Sequence, residues 1–218
     1  MPKIVFFLNV IAIILVGLFV NSCEKSPNPK SPVQSRLDAG ETPYQIYLSD
    51  DSLLDSLNGK SYLGGMIFYL NTSDGSGLIA STTDQSAGTK WGCDGFDIPD
   101  LPNVTECCPA SGPGSEVGNG ASNTDTFISA CGEVGSAARF AALYEENGFE
   151  DWFLPSVHEL QFMYSNLYRN GFGNFDASHY WSSTEGASAT AWRLNFGDGL
   201  QNFQAKPDMS RVRSVRAF

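Results

Sequence analysis

This 218-residue chain has two histidines, His158 and His179, and one of them stands among residues that could do chemistry. Ser156, His158 and Glu159 supply a hydroxyl, an imidazole and a carboxylate within four residues, the types that a catalytic site needs. The spacing Ser-x-x-Glu is also a capping box, in which each side chain accepts the other residue's backbone amide. Because a capping box commits the glutamate to the backbone, we predict a helix start with His158 exposed. His179 has no evident partner.

The elements around this stretch predict a mixed fold. Trp152, Phe153 and Leu154 form an apolar run that Pro155 ends. The helix that follows has its apolar residues at helical spacing and ends near residues 170–171. We also predict a hairpin over residues 66–82, helices over 124–131 and 137–147, a strand over 192–196 that returns after a Gly-Asp-Gly turn, and a β-bulge near Ser214.

Other catalytic patterns are absent from the sequence. It contains no G-x-S-x-G and no H-E-x-x-H. The glycines of residues 112–120 follow no predicted strand and precede no GK[ST], so a phosphate loop is not indicated. The formal net charge of −11 repels phosphate backbones, which argues against a nucleic-acid partner. We therefore predict a protein that is not an enzyme.

The N-terminus predicts export and lipid anchoring. Lys3 precedes an apolar run, Ile4 to Val20, that is short for a spanning helix. The run ends in Val-Asn-Ser-Cys, which resembles the lipobox of bacterial lipoproteins. We predict a signal peptide over residues 1–22 and acylation of Cys23, with an uncleaved anchor helix as the alternative. Either outcome places the rest of the chain outside the cytoplasm. We predict a lipid-anchored protein of the cell envelope, at the outer membrane surface or in the periplasm of a Gram-negative bacterium.

The chain then divides into a tether and a domain. Residues 24–43 are polar, contain prolines and lack apolar periodicity, which is typical of a flexible linker. We predict a tether and transition over residues 23–58 and a folded domain over 59–218. Cleavage before Cys23 removes Lys3 and no acidic residue, so the net charge becomes −12.

Four cysteines remain, which in an exported protein predicts two disulfides. They are Cys93, Cys107, Cys108 and Cys131. Neighbouring cysteines rarely bridge each other. Two pairings stay open: 93–107 with 108–131, or 93–108 with 107–131. Both histidines lie far from these cysteines in sequence, so zinc is not favoured.

Nine segments, in this order, resemble the Lcl C-terminal domain family: YLGGMIFYL, GLIAS, DQSAGTKWGC, GASNTDTFISACG, AARFAALY, DWFLPSVHEL, YWSSTE, AWRLNFGDG and RVRSVRAF. The resemblance covers about residues 59–218. It implies an α+β fold that is C-type-lectin-like: small antiparallel sheets, two main helices, a long loop stapled by disulfides, and first and last strands that pair. It also implies adhesion to a glycan or a protein. Sulfated glycosaminoglycans, which members of the family bind, match a chain of charge −12 poorly.

The resemblance implies a ligand surface on the long-loop side of the fold. By that analogy the candidate residues are Glu185, Arg193, Asp198 and Arg211. Arginines 211, 213 and 216 form a basic cluster that either pairs with carboxylates or meets an anionic ligand. Lys206-Pro207-Asp208 only partly matches the calcium triplet of lectins. Asp94, Asp97 and Asp100 could still bind calcium, but their spacing fits no known calcium loop, so we predict no cofactor, with calcium as the alternative.

Two alternatives to a binding module remain. One is a structural subunit of a surface assembly. The other is an enzyme distantly related to formylglycine-generating enzymes, which the sequence disfavours. That chemistry uses a pair of cysteines near the C-terminal end, and no cysteine follows Cys131.

Overall fold

A computed structural model describes residues 31–218. The predicted signal peptide and the acylated Cys23 lie outside these residues. The helices are α1 (Pro32–Asp38), α2 (Pro43–Ser49), α3 (Leu54–Leu57), α4 (Asn119–Ala130), α5 (Ala137–Ala142) and α6 (Val157–Asn166), with 3₁₀ turns at Asp51–Leu53 and Tyr168–Asn170. The strands are β1 (Ser61–Tyr62), β2 (Gly65–Leu70), β3 (Gly77–Ala80), β4 (Ser86–Thr89), β5 (His179–Ala187), β6 (Thr190–Asn195), β7 (Gln201–Ala205), β8 (Ser210–Val212) and β9 (Val215–Ala217). Within residues 31–218, no helix has the length and hydropathy to cross a bilayer.

The strands form two sheets, which confirms an α+β fold. One has the order β1-β2-β3-β9 and the other β4-β8-β5-β6-β7. The two predicted hairpins are present as the antiparallel pairs β2–β3 and β6–β7. The last strand, β9, pairs with β3, so the expected pairing of first and last strands is wrong. Residues 213–214 carry the chain from the second sheet to the first, where we expected a bulge.

The N-terminal residues 32–58 are folded, and the predicted tether is wrong for this segment. Ser31 caps α1, and Thr42 forms a capping box with Gln45 at the start of α2. Each helix begins with a proline, which suits the first helical position. The helices bury apolar side chains against the first sheet: Val33, Leu37, Ile46 and Leu57 join a cluster that includes Ile67, Ile79 and Trp152. The folded unit therefore begins near residue 31, not near residue 59.

Helices cover both faces of the second sheet. Leu160 and Met163 of α6 pack in one cluster with Tyr180, while α4 and α5 contribute to another with Trp181. Because neighbouring residues of a strand point to opposite faces, adjacent Tyr180 and Trp181 serve different cores. The capping box predicted at Ser156 is confirmed. Helix α4 starts at residue 119, five residues earlier than predicted, and α5 ends at residue 142, five residues earlier than predicted.

Candidate functional site

The Ser156–His158–Glu159 stretch holds a loop in place. The His158 ring Nε2 lies 2.8 Å from the carbonyl oxygen of Ala110, and its backbone N–H donates to Ser115. The Ser156 hydroxyl donates to the Glu116 carbonyl at 2.7 Å. These bonds tie residues 110–116 to the start of α6. His158 is partly buried, where we expected exposure, and the hydrogen-bond partner of its ring is a carbonyl rather than a nucleophile.

The Glu159 carboxylate is fully buried and serves three backbone donors. It accepts the amides of Ser156 at 2.8 Å, Gly118 at 2.8 Å and Gly120 at 3.4 Å. Burial raises the pKa of this carboxyl, and the three hydrogen bonds oppose the rise. A Cβ at Gly120 would lie 2.2 Å from Glu159 Oε2, so a glycine is required there. This carboxylate joins the beginnings of α4 and α6.

His179 lies on β5, partly buried and opposite Asn195. Burial lowers the pKa of its imidazole; the positive charge of Arg193 adds to that effect and Asp198 opposes it. Among residues 31–218, no serine, cysteine or carboxylate is hydrogen-bonded to either histidine ring. In the described part of the chain, neither histidine therefore forms a nucleophile–base pair.

The cysteines pair differently from both predictions. Cys93 bonds Cys131, with their Cα atoms 6.2 Å apart, and Cys107 bonds Cys108. Both pairings that the sequence left open are therefore wrong, because they excluded a bond between neighbours. One disulfide therefore fastens the loop of residues 90–118 to the end of α4. Glu133 lies within 4.8 Å of the sulfurs of that disulfide, but bonded sulfurs offer no thiolate to a metal.

Glu185 is buried under this loop rather than exposed to a ligand. Its Oε1 lies 2.5 Å from Lys206 Nζ, and both side chains are inaccessible to solvent. The ammonium also donates to the Phe96 carbonyl at 2.7 Å and lies 4.8 Å from the centre of the Trp91 ring. The Ile98 amide lies 3.3 Å from both carboxylate oxygens. Burial raises the pKa of the Glu185 carboxyl, and Lys206 opposes that rise.

The buried ion pair therefore holds residues 96–98 of the loop on the core. The Val104 amide adds a bond to the Glu185 carbonyl, 2.9 Å long. Three of the loop's acidic residues, Asp94, Asp97 and Asp100, are exposed at its surface. Asp97 accepts a hydrogen bond from Asn103 at 2.7 Å, which fixes the loop's outer side.

The basic cluster of residues 211–216 pairs with carboxylates of the fold, which was the first of its two predicted roles; the other was contact with an anionic ligand. Arg213 is buried and donates to Asp84 at 2.7 Å. Arg211 pairs with Asp84 at 2.9 Å and with Asp176, and Arg216 pairs with Asp151. The three guanidinium groups are thus used inside the fold.

Each of the four candidate ligand residues has partners within the fold. Arg193 packs over Trp181, 6.0 Å from the ring centre, and donates to Gln204 at 2.9 Å and to the Ser210 hydroxyl. Asp198 closes the β6–β7 turn by accepting from Asn195 and from the Leu200 amide, each at 2.9 Å. Arg211 faces the acidic residues described above, and Glu185 is buried.

A cavity of about 760 Å³ lies where α1 and α3 meet the turn after α6. Asp55, Asn58 and Lys60 line one side, and Asn166 and Phe172 line the other. Sequence reasoning missed this site because residues 32–58 were assigned to a tether. One signal was available: a phenylalanine between two glycines, at residues 171–173, is typical of an aromatic side chain presented on a turn.

Comparison with known proteins places the chain in a family. The family model described as the Lcl C-terminal domain matches residues 80–216. None of the curated proteins matches the chain. Among solved structures, a fimbrial protein from Bacteroides ovatus ATCC 8483 is 13% identical, with a TM-score of 0.38. The match covers 80% of this chain and 41% of that one, and at this TM-score it supports no inference. Since the family model covers more than half of the sequence, this chain belongs to the Lcl C-terminal domain family.

Proposed function

We propose that this protein is a non-enzymatic binding module of the cell surface whose ligand is a glycan or a protein. One observation carries the proposal: in the described part of the chain, the side chains that could do chemistry are used to hold the scaffold. Glu159 accepts backbone amides, Glu185 pairs with Lys206, and His158 contacts a carbonyl. Such a scaffold is suited to presenting a surface, which agrees with membership of the family.

The proposal includes a lipid anchor at Cys23 and a C-type-lectin-like fold. The Val-Asn-Ser-Cys sequence supports the anchor, and the disulfide between Cys93 and Cys131 supports an oxidising compartment. Two small sheets flanked by helices, with a fastened loop of residues 90–118, support the fold. Labelling cells with radioactive palmitate tests the anchor. We expect label on the wild-type protein and none on Cys23→Ala; equal labelling would contradict this part of the proposal.

Binding is tested by presenting the full chain, purified in detergent, to an array of glycans and proteins of the extracellular environment. The array is read with calcium and with a chelator, because no calcium requirement is expected. A ligand that binds equally in both conditions supports the proposal. The absence of any ligand in both conditions would refute it.

A structural subunit remains the second candidate because three apolar side chains are strongly exposed near α5. Val134, Phe140 and Leu143 are 80%, 40% and 73% exposed and line a shallow groove with Tyr144. Exposed apolar groups that are close together mark protein contact surfaces. Co-purification of the chain with neighbours from the same envelope, lost on Leu143→Ser, would support assembly. Unchanged recovery of partners would contradict it.

A further inference from the structure

The 760 Å³ cavity has the size of a small-molecule site and walls that are already formed. On one side, the Gly59 amide donates to Ile67 at 2.9 Å, and Lys60 accepts from Ile67 at 2.9 Å. On the other side, Asn166 Nδ2 donates to the Phe68 carbonyl at 2.9 Å, which joins α6 to β2. Both walls are therefore fixed to the same strand, so a ligand would not have to order them.

Polar and apolar groups both line the cavity, and several of the polar side chains have no hydrogen-bond partner within the described residues. Seven of its eleven lining residues are polar. Within residues 31–218, the side chains of Asp55, Ser56 and Asn58 make no hydrogen bond. Asn166 and Asn170 use their amide nitrogens internally, and their side-chain oxygens accept no hydrogen bond in the same range. Donors and acceptors that the scaffold does not use are thus gathered around one space.

An aromatic ring completes the lining. Phe172 is 37% exposed and follows Gly171, whose φ is +75°. Its ring packs against Gly59 so closely that a Cβ there would lie 2.5 Å from the ring. Lys60 Nζ lies 5.8 Å from the ring centre. The ring is thus supported by the backbone on one side while remaining partly accessible.

We propose that this cavity binds a neutral saccharide. Sugars combine hydroxyls, which both donate and accept, with apolar C–H faces that stack on aromatic rings. Side-chain amides, a hydroxyl and a carboxylate beside Phe172 match those two needs. An apolar peptide or a lipid would leave the unpartnered polar groups buried without hydrogen bonds.

Charge selects the class of saccharide. Asp55 and Lys60 give the lining one negative and one positive group, so the cavity has no net charge of its own. The whole chain carries −11, which opposes sulfated sugars. Residues 31–60 precede the segment that the family model matches, so this site is contributed largely by the chain's own N-terminal segment. The inference deepens the proposed function and rests on it.

Saturation-transfer NMR on the full chain in detergent tests the site, with free galactose, mannose, N-acetylglucosamine and lactose as probes and a heparin disaccharide as the charged comparison. We expect at least one neutral sugar to bind, and Phe172→Ala and Asn58→Ala each to weaken that binding about tenfold. Phe140→Ala, which removes a ring of similar exposure at 40%, should leave it unchanged. Circular dichroism identifies variants that do not fold; Asn58→Ala changes no packed ring and keeps the test decisive.

The proposal is overturned if no neutral sugar binds, if only the heparin disaccharide binds, or if the Phe172 and Asn58 variants bind like the wild type. Its failure is distinguishable from that of the proposed function. A ligand on the array that is indifferent to both variants would leave the surface-binding function in place and remove this site. An array without any ligand would remove the function itself.

Discussion

Replacing Lys206 with methionine tests whether the buried ion pair holds the long loop. Methionine keeps an unbranched side chain of similar length and removes the ammonium. The Glu185 carboxylate would then stay buried. Among the described residues, its remaining hydrogen-bond donor would be the Ile98 backbone amide, 3.3 Å away. The Phe96 carbonyl would lose its 2.7 Å donor. Both losses act on residues 96–98, so the substitution weakens the contacts that hold this part of the loop on the core.

The expected cost is large because a charge is left without its partner. Removing one member of a buried pair costs about 3–5 kcal/mol. Domains have about 5–15 kcal/mol of stability, so Lys206→Met should fold but unfold at a lower guanidinium concentration. At about 2–4 °C per kcal/mol for a chain of this length, the melting temperature should fall by about 6–20 °C. Tryptophan fluorescence is a direct readout, because Trp91 lies 4.8 Å from the ammonium.

Two comparisons isolate the charge effect. The double variant Glu185→Leu with Lys206→Met removes both charges and should recover most of the loss, because an apolar pair replaces a buried ion pair at little cost. Arg36→Ala breaks the exposed pair with Glu41 and should lower stability far less than Lys206→Met does, because solvent screens exposed charges. The reasoning is refuted if Lys206→Met costs less than about 1 kcal/mol, or if the double variant is no more stable than the single one.

Three further predictions test the N-terminal helices, the capping glutamate and His179. Leu37→Ala should cost about 2–5 kcal/mol in guanidinium unfolding because Leu37 is buried, whereas Leu48→Ala, at a site 64% exposed, should change stability by less than about 0.5 kcal/mol; equal effects would mean that α1 does not pack. Gly120→Ala should cost about 1–3 kcal/mol because its Cβ would meet a buried carboxylate oxygen at 2.2 Å, while Gly132→Ala, with open space around its Cβ, serves as the control and should not reproduce that loss. NMR titration should give His179 a pKa below the usual value of about 6.5. Since the folded state binds that proton less tightly than the unfolded state, the stability that His179 contributes is present above about pH 6.5 and is lost as the pH falls through the folded pKa. His179→Gln should remove this pH dependence of the free energy of unfolding, and an unchanged pH dependence would contradict the assignment.

Local signals predicted the parts of the fold that depend on neighbouring residues. The turn Gly197-Asp198-Gly199 and the capping box at Ser156 are each formed within a few residues, and both are present. Glu185 shows where such reasoning stops. The resemblance placed it on a ligand surface, but its partner, Lys206, comes 21 residues later, just after β7. Nothing in the local sequence specifies that a lysine will meet it in the core.

The prediction for the N-terminal helices was wrong for a related reason. Prolines and polar residues over 31–43 are typical of a linker, yet Pro32 and Pro43 occupy first helical positions behind the capping residues Ser31 and Thr42. Each of these helices has seven residues, which is too short to be stable alone. Their apolar residues become stabilising only when the first sheet is there to cover them. The cavity that α1 helps to line was missed for the same reason.

The same dependence predicts that the segment matched by the family model does not fold by itself. Residues 80–216 contain Val215 and Arg216 of β9, whose partner is β3, but include only Ala80 of that partner strand. They also lack Ile67 and Ile79, which pack with Trp152. Residues 80–216 alone should show exposed tryptophan and no cooperative unfolding, whereas residues 31–218 should unfold in one transition. A cooperative transition for the shorter segment would show that α1, α2 and the first hairpin are accessory to the fold and do not complete its core.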